Sequence, residues 1–184
     1  MSACCNRSVA PSTTHSAGTT LGWSAWRGCS RVWRGGWPPG GLIGSNVYPL
    51  VSDARAGAIA PLDAVLVDVP CTGTGTFRRH PDARWRLTPN DIAVLAATQR
   101  SILHAAAATV APGGLLVYST CSLETEENDA QVETFLAGHP EFTLEPPPEG
   151  TVPTTVLDAG RLRVTPQRHG TDGAFAARMR RSAN

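Results

Sequence analysis

The stretch LDAVLVDVPCTGTG, residues 62–75, decides how this chain folds. Ala64, Val65, Leu66 and Val67 form an unbroken apolar run of strand length, the pattern of a strand covered on both faces in a parallel sheet. Asp68 ends that run. Ligands of open α/β sheets sit beyond the carboxyl ends of the strands, so Asp68, Pro70 and Cys71 fall where a site is built. Gly73 and Gly75 give the backbone the freedom to turn there.

Working outward toward the C-terminus, the next segment, TFRRHPDARWR, holds Arg78, Arg79, Arg84 and Arg86 together with His80, Phe77 and Trp85. Arginines interleaved with aromatics suit a nucleic-acid strand, through phosphate contacts and base stacking. The alternative is a solvated loop with Trp85 packed beneath it. Thr88-Pro89-Asn90-Asp91 is a helix start: a capping hydroxyl, a proline in the first position and an acid in the first turn. Ile92, Leu95, Ala96, Gln99, Ile102, Leu103, Ala106 and Val110 then recur at helical spacing, and Pro112-Gly113-Gly114 is expected to stop the helix. Residues 115–120, LLVYST, read as a second buried strand leading into Cys121-Ser122.

Strand, helix, strand is a crossover that makes the two strands parallel and right-handed. Neighbouring strands of this kind put Cys71 and Cys121 at one cleft. A further helix is expected from Glu124 through Val132, Phe135 and Leu136 to Gly138, which sets Cys121 ahead of a helix N-terminus. That position favours a thiolate, against the opposing charge of the nearby acids. Residues 142–144 form a candidate strand. Residues 162–165 and 174–179 are expected to pair as an antiparallel hairpin at the sheet edge, with a stiff Pro146-Pro147-Pro148 connector before them.

The 184 residues are enough for one domain with a true core, and 41% hydrophobic with 17% charged residues is an ordinary globular balance. All 16 basic side chains are arginines, and the net charge is +1. The first 52 residues carry Arg7, Arg27, Arg31 and Arg34 with no acid, while the remaining arginines face all 15 acids. No apolar run approaches a membrane span and no secretory leader is evident, so the chain reads as cytoplasmic. Five cysteines without paired spacing argue against a disulfide framework or a zinc site, and no histidine has a partner at metal spacing. Residues 1–44, rich in Ser, Gly, Arg and Trp and lacking periodicity, are expected to be disordered or to be a non-native reading frame. The folded part is expected over 45–184, with a short strand at 47–51 leading to Ser52-Asp53-Ala54-Arg55.

Two thiols and a carboxylate at one cleft suit nucleophilic catalysis, in which a thiolate forms a transient covalent bond and a second group handles a proton. The motifs DVPCTGTG, FRRHPDARW, PGGLLVYSTCSLETEEN and TDGAFAARMRR resemble those of the RsmB/NOP (Sun) family of RNA (cytosine-5) methyltransferases, most closely its bacterial ribosomal-RNA branch. The resemblance covers roughly residues 47–181. It implies an α/β fold: the C-terminal part of a Rossmann-like class I methyltransferase sheet, mostly parallel with an antiparallel C-terminal hairpin and with the first strands missing. It further implies methyl transfer from S-adenosylmethionine to carbon 5 of a cytosine in RNA, expected to be ribosomal. Cys121 of the TCS motif would be the nucleophile, Cys71 of the PC motif would assist release, and Asp53 and Asp68 would contact the cofactor. Arg78, Arg79, His80, Arg84 and Arg86 would meet the RNA. The Pro-Gly-Gly-Lys loop that the family carries ahead of the first acid has no counterpart; Pro39-Gly40-Gly41 lacks both the acid and the lysine. A catalytically inactive fragment with residual RNA binding is therefore the alternative. No metal and no membrane partner is expected, and the oligomeric state is open.

Overall fold

A computed structural model describes residues 12–13, 19–24, 46–47, 53–55 and 61–184. Three short N-terminal strands come first: β1 (Ser12–Thr13), β2 (Thr19–Ser24) and β3 (Asn46–Val47). β4 (Leu62–Asp68) is the strand expected from the apolar run. α1 (Pro89–Ala107) follows, then β5 (Val110–Thr120), α2 (Asp129–Gly138) and β6 (Phe142–Leu144). The C-terminal part holds β7 (Leu157–Asp158), β8 (Arg161–Val164), the single turn α3 (Pro166–His169) and β9 (Ala174–Arg181).

These strands make one mixed sheet in the order β3-β1-β2-β4-β5-β9-β8-β7, with β6 also on β9. β4 runs parallel to β5 across the α1 crossover, and β2 runs parallel to β4 on its other side, Trp23 opposite Val67. The β2 strand lies within residues 1–44. Its sequence, TTLGWS, has a glycine at its centre and too few apolar residues to show a period, so pairing to β4 decides its form, not local preference. Apart from residues 12–13 and 19–24, the segment expected to be disordered or non-native, and residues 48–51 of the expected 47–51 strand, lie outside the described residues. β8 and β9 form the expected antiparallel hairpin toward one edge of the sheet, with β9 on its inner side. β9 pairs antiparallel with β5 on one side and with β6 and β8 on the other.

The helix start is as its sequence dictates. Thr88 and Asp91 form a reciprocal capping box, with Asp91 Oδ2 accepting from Thr88 N at 2.8 Å. The helix ends at Ala107, earlier than the stripe to Val110 suggested, because Thr109 turns back onto the Ala106 carbonyl with both its amide and its hydroxyl. Val110 already belongs to β5. Pro112-Gly113-Gly114 therefore lies in a strand, at an irregularity where the β4 partner steps from Leu62 opposite Val110 to Ala64 opposite Leu115. Gly113 supplies a φ of 75° there.

Alternate residues of the central strands, Val65, Val67, Leu116, Tyr118, Phe175, Ala177 and Met179, are buried in one core with Ile102 and Leu103 of α1 and Val132 and Phe135 of α2. Full burial of side chains of this size contributes on the order of 1.5–3 kcal/mol each. Its effect on the site is positional: two adjacent parallel strands are fixed by packing, and both end at the same rim.

Candidate active site

At that rim the two strand ends hand over to two loops that bind each other. Val69 N donates to Ser119 O, and Gly75 N to Cys121 O at 3.0 Å. The turn through Gly73 needs a left-handed residue, with φ 69°. Gly75 is required for a different reason, close approach: a Cβ there would sit 2.7 Å from both Cys121 O and Gly173 O. Gly173, just before β9, donates its N–H to Gly75 O at 2.8 Å, so three chain segments meet at this point.

The consequence for chemistry is a sulfur pair. Cys71 Sγ and Cys121 Sγ lie 3.2 Å apart, both half-buried. One thiol donating to the other splits their acidities. Cys121 is pulled below the ordinary thiol range because Cys71 hydrogen-bonds to its thiolate. Cys71 is pushed well above that range, first because it is the donor in that bond and then because of burial. The expected source of the Cys121 thiolate, the N-terminus of the following helix, gives way to this pair. The helix expected from Glu124 is split into a 3-10 turn at Thr125–Glu127 and α2, with Asn128 at φ −116°, ψ −97° between them.

Asp68, at the carboxyl end of β4, is half-buried and accepts from Ser119 Oγ at 3.0 Å. Its charge works against a thiolate at Cys121. Asp53 is exposed in the turn at 53–55, where Arg55 Nε donates to its Oδ1 at 2.9 Å. Arg78, Arg79, His80, Arg84 and Arg86 are all exposed. Arg79 pairs with Asp172 and Arg86 with Asp82. Trp85 is not packed beneath the loop: it is 79% exposed, with the Arg84 guanidinium 5.0 Å from its ring centroid. His104 Nδ1 and His139 Nε2 lie 3.0 Å apart. Among the described residues no group of three or more metal-ligating side chains occurs, and no helix is long and apolar enough to cross a membrane.

The site also contains residues that sequence patterning does not single out. Glu127, which reads as one of several acids at a helix start, is completely buried. Its carboxylate accepts from Thr72 N at 2.9 Å, from Thr72 Oγ1 and from Gln99 Nε2 at 2.8 Å. Gln99 reads as part of an apolar stripe, yet the same Nε2 donates to Pro70 O at 2.9 Å. Ser122 Oγ lies 3.2 Å from Thr72 Oγ1 and 3.3 Å from Thr74 Oγ1, and Thr74 Oγ1 accepts from Leu123 N. The only sequence signal available is a polar residue at a core position of a helix, which is Gln99.

A family profile described as 16S rRNA methyltransferase RsmB/F matches residues 49–180. The chain belongs to that family. The ribosomal RNA small subunit methyltransferase B of Thermus thermophilus is 49% identical over 117 residues, covering 64% of this chain and 29% of that protein. The probable methyltransferase B of Synechocystis is 44% identical over 125 residues, covering 66% and 28%. Among solved structures, PH0851 matches with a TM-score of 0.63 at 43% identity, over 72% of this chain and 30% of the other. NSun6 from Pyrococcus horikoshii, solved with the S-adenosylmethionine analogue SFG, matches with a TM-score of 0.63 at 30% identity, over 73% and 34%. The fold is that of class I methyltransferases, and the family uses S-adenosylmethionine on ribosomal RNA. The chain spans less than a third of the length of these curated relatives.

Proposed function

We propose that this chain carries the catalytic cysteines of an S-adenosylmethionine-dependent methyl transfer to carbon 5 of cytosine in ribosomal RNA. The observation that carries the reading is the 3.2 Å contact between Cys71 and Cys121, with the acidity of the pair split in favour of a Cys121 thiolate. That thiolate adds to carbon 6 of the cytosine. The new S–C6 bond drives electron density to carbon 5, the carbon to be methylated. S-adenosylmethionine, when bound, would supply the methyl group as an electrophile, its sulfonium–methyl bond breaking to leave S-adenosylhomocysteine. Once carbon 5 carries it, loss of the carbon-5 proton to a base restores the ring double bond, and the C6–S bond breaks with its electrons returning to Cys121. Cys71, already in contact with that sulfur, assists the release by donating to the departing thiolate. Arg78, Arg79, His80, Arg84 and Arg86 contribute phosphate contacts along the exposed loop.

The donor set fits the cofactor at Asp68. A carboxylate is acceptor-only, and here it is held by Ser119 at the strand end where ligands of such sheets bind. Asp53 is the second carboxylate assigned to the cofactor and shares its oxygens with Arg55. The alternative, a chain that binds RNA without turnover, is favoured by the absence of a Pro-Gly-Gly-Lys match ahead of Asp53. Incubation of the folded protein with small-subunit ribosomal RNA and S-adenosylmethionine, followed by nucleoside mass spectrometry, separates the two. New 5-methylcytidine that Cys121→Ser abolishes supports the proposal. Titration calorimetry in which the folded protein binds no S-adenosylmethionine overturns it in favour of the binding-only reading.

A further inference from the structure

We infer that Glu127, together with Gln99, is the positioning residue of the Cys71 thiol, and so governs release of the methylated cytosine from Cys121. The release half of this statement rests on the function proposed above; the positioning half does not.

The chain on both sides of Cys71 is held by this one pair of side chains. Ahead of it, Pro70 O accepts from Gln99 Nε2 at 2.9 Å; after it, Thr72 N donates to Glu127 Oε1 at 2.9 Å. Gln99 Nε2 closes the clamp by donating to Glu127 Oε1 at 2.8 Å. The clamp is anchored to the strand that delivers Cys121, because Tyr118 Oη donates to the Glu127 backbone carbonyl at 2.6 Å and lies 3.3 Å from Gln99 Oε1. Burying a carboxylate completely is costly unless its oxygens are satisfied by hydrogen bonds. All its hydrogen bonds among the described residues come from uncharged donors: the Thr72 amide, the Thr72 hydroxyl and the Gln99 amide. No guanidinium neutralises it there. A sequence that needed only to fill this space would be served by an apolar side chain. What the carboxylate adds is direction: it fixes the Thr72 N–H, and with it the position from which Cys71 meets Cys121. Its negative charge also opposes ionisation of Cys71, keeping that thiol in its donor form.

Glu127→Gln preserves shape but presents an NH2 group to donors that need an acceptor, so it opens the clamp with minimal change in volume. The test uses the full chain, with melting curves to establish that the variant is folded, and two readouts. In the first, peptide-resolved alkylation by iodoacetamide, Cys71 is expected to react about 10-fold faster in Glu127→Gln, corresponding to loss of one charge-assisted hydrogen bond. Glu127→Asp, which keeps the acceptor, is expected to restore part of the protection. In the second, Glu127→Gln incubated with cytosine RNA and S-adenosylmethionine is expected to accumulate a covalent protein–RNA complex, with kcat reduced and KM unchanged. A folded Glu127→Gln whose Cys71 alkylates at the original rate overturns the inference. Faster Cys71 alkylation with no RNA complex in any form of the protein supports the clamp and counts against the proposed function. If Glu127→Gln does not fold, Gln99→Met, which removes the Pro70, Glu127 and Tyr118 contacts of the Gln99 amide, serves in its place with the same outcomes in the same directions.

Discussion

At the scale of single residues, the site turns on which of two sulfurs holds a negative charge. A thiolate at Cys121 is stabilised first by the Cys71 S–H and to a lesser degree by a backbone hydrogen bond, and opposed by burial, Asp68 and Glu127, so removing the Cys71 donor takes away the largest stabilising effect. Cys71→Ala is therefore expected to raise the Cys121 acidity constant: the alkylation profile of Cys121 moves to higher pH, while in the unaltered protein it lies below that of an ordinary thiol. Peptide-resolved alkylation across a pH series measures this, and an unchanged profile would rule out the sulfur contact as the cause. Much at this scale is legible in the sequence. Asp68, Cys71 and Cys121 are visible as strand-end residues because β4 and β5 announce themselves as apolar runs. Glu127, Thr72 and Ser122 are not, because a buried polar side chain looks like a surface one until the element around it is packed; Gln99 shows only as a polar residue on an apolar stripe.

At the scale of elements, the two glycines of the TGTG turn serve different ends. Gly73 is there for its left-handed φ, and Gly75 for the 2.7 Å approach of two carbonyl oxygens. Gly73→Ala is expected to cost about 1–2 kcal/mol by strain while leaving the sulfur contact intact, since its Cβ would lie 3.9 Å from Cys121 Sγ. Gly75→Ala must push the Cys121 carbonyl or the Gly173 segment aside, at a cost of about 1–3 kcal/mol. It is expected to alter the alkylation rates of Cys71 and Cys121 as well as the denaturation midpoint, and equal thiol reactivity in the two variants would contradict this. Periodicity and capping residues locate α1, β5 and the C-terminal hairpin well. They misplace the end of α1 and the break at Asn128, where a hydroxyl on a carbonyl and one unusual backbone conformation override propensity. β2 is invisible to them because its form depends on a partner strand distant in sequence.

At the scale of the whole molecule, the family and the fold follow from motifs that span 49–180, while the catalytic reading depends on how two loops meet at one sheet rim. Helices α1 and α2 and the core they share with β4, β5 and β9 hold that rim in place. The arginine-rich loop, with Trp85 exposed beside Arg84, follows the same strand end in the chain. The central claim is that Cys121, and not Cys71, bonds to carbon 6 of the target cytosine. Its most direct test is RNA containing 5-fluorocytidine, whose carbon-5 fluorine blocks release and traps the covalent complex, followed by digestion and mass spectrometry of the attached peptide. The account predicts an adduct on Cys121 that persists in Cys71→Ala and disappears in Cys121→Ser; an adduct on Cys71, or one that survives Cys121→Ser, would contradict it.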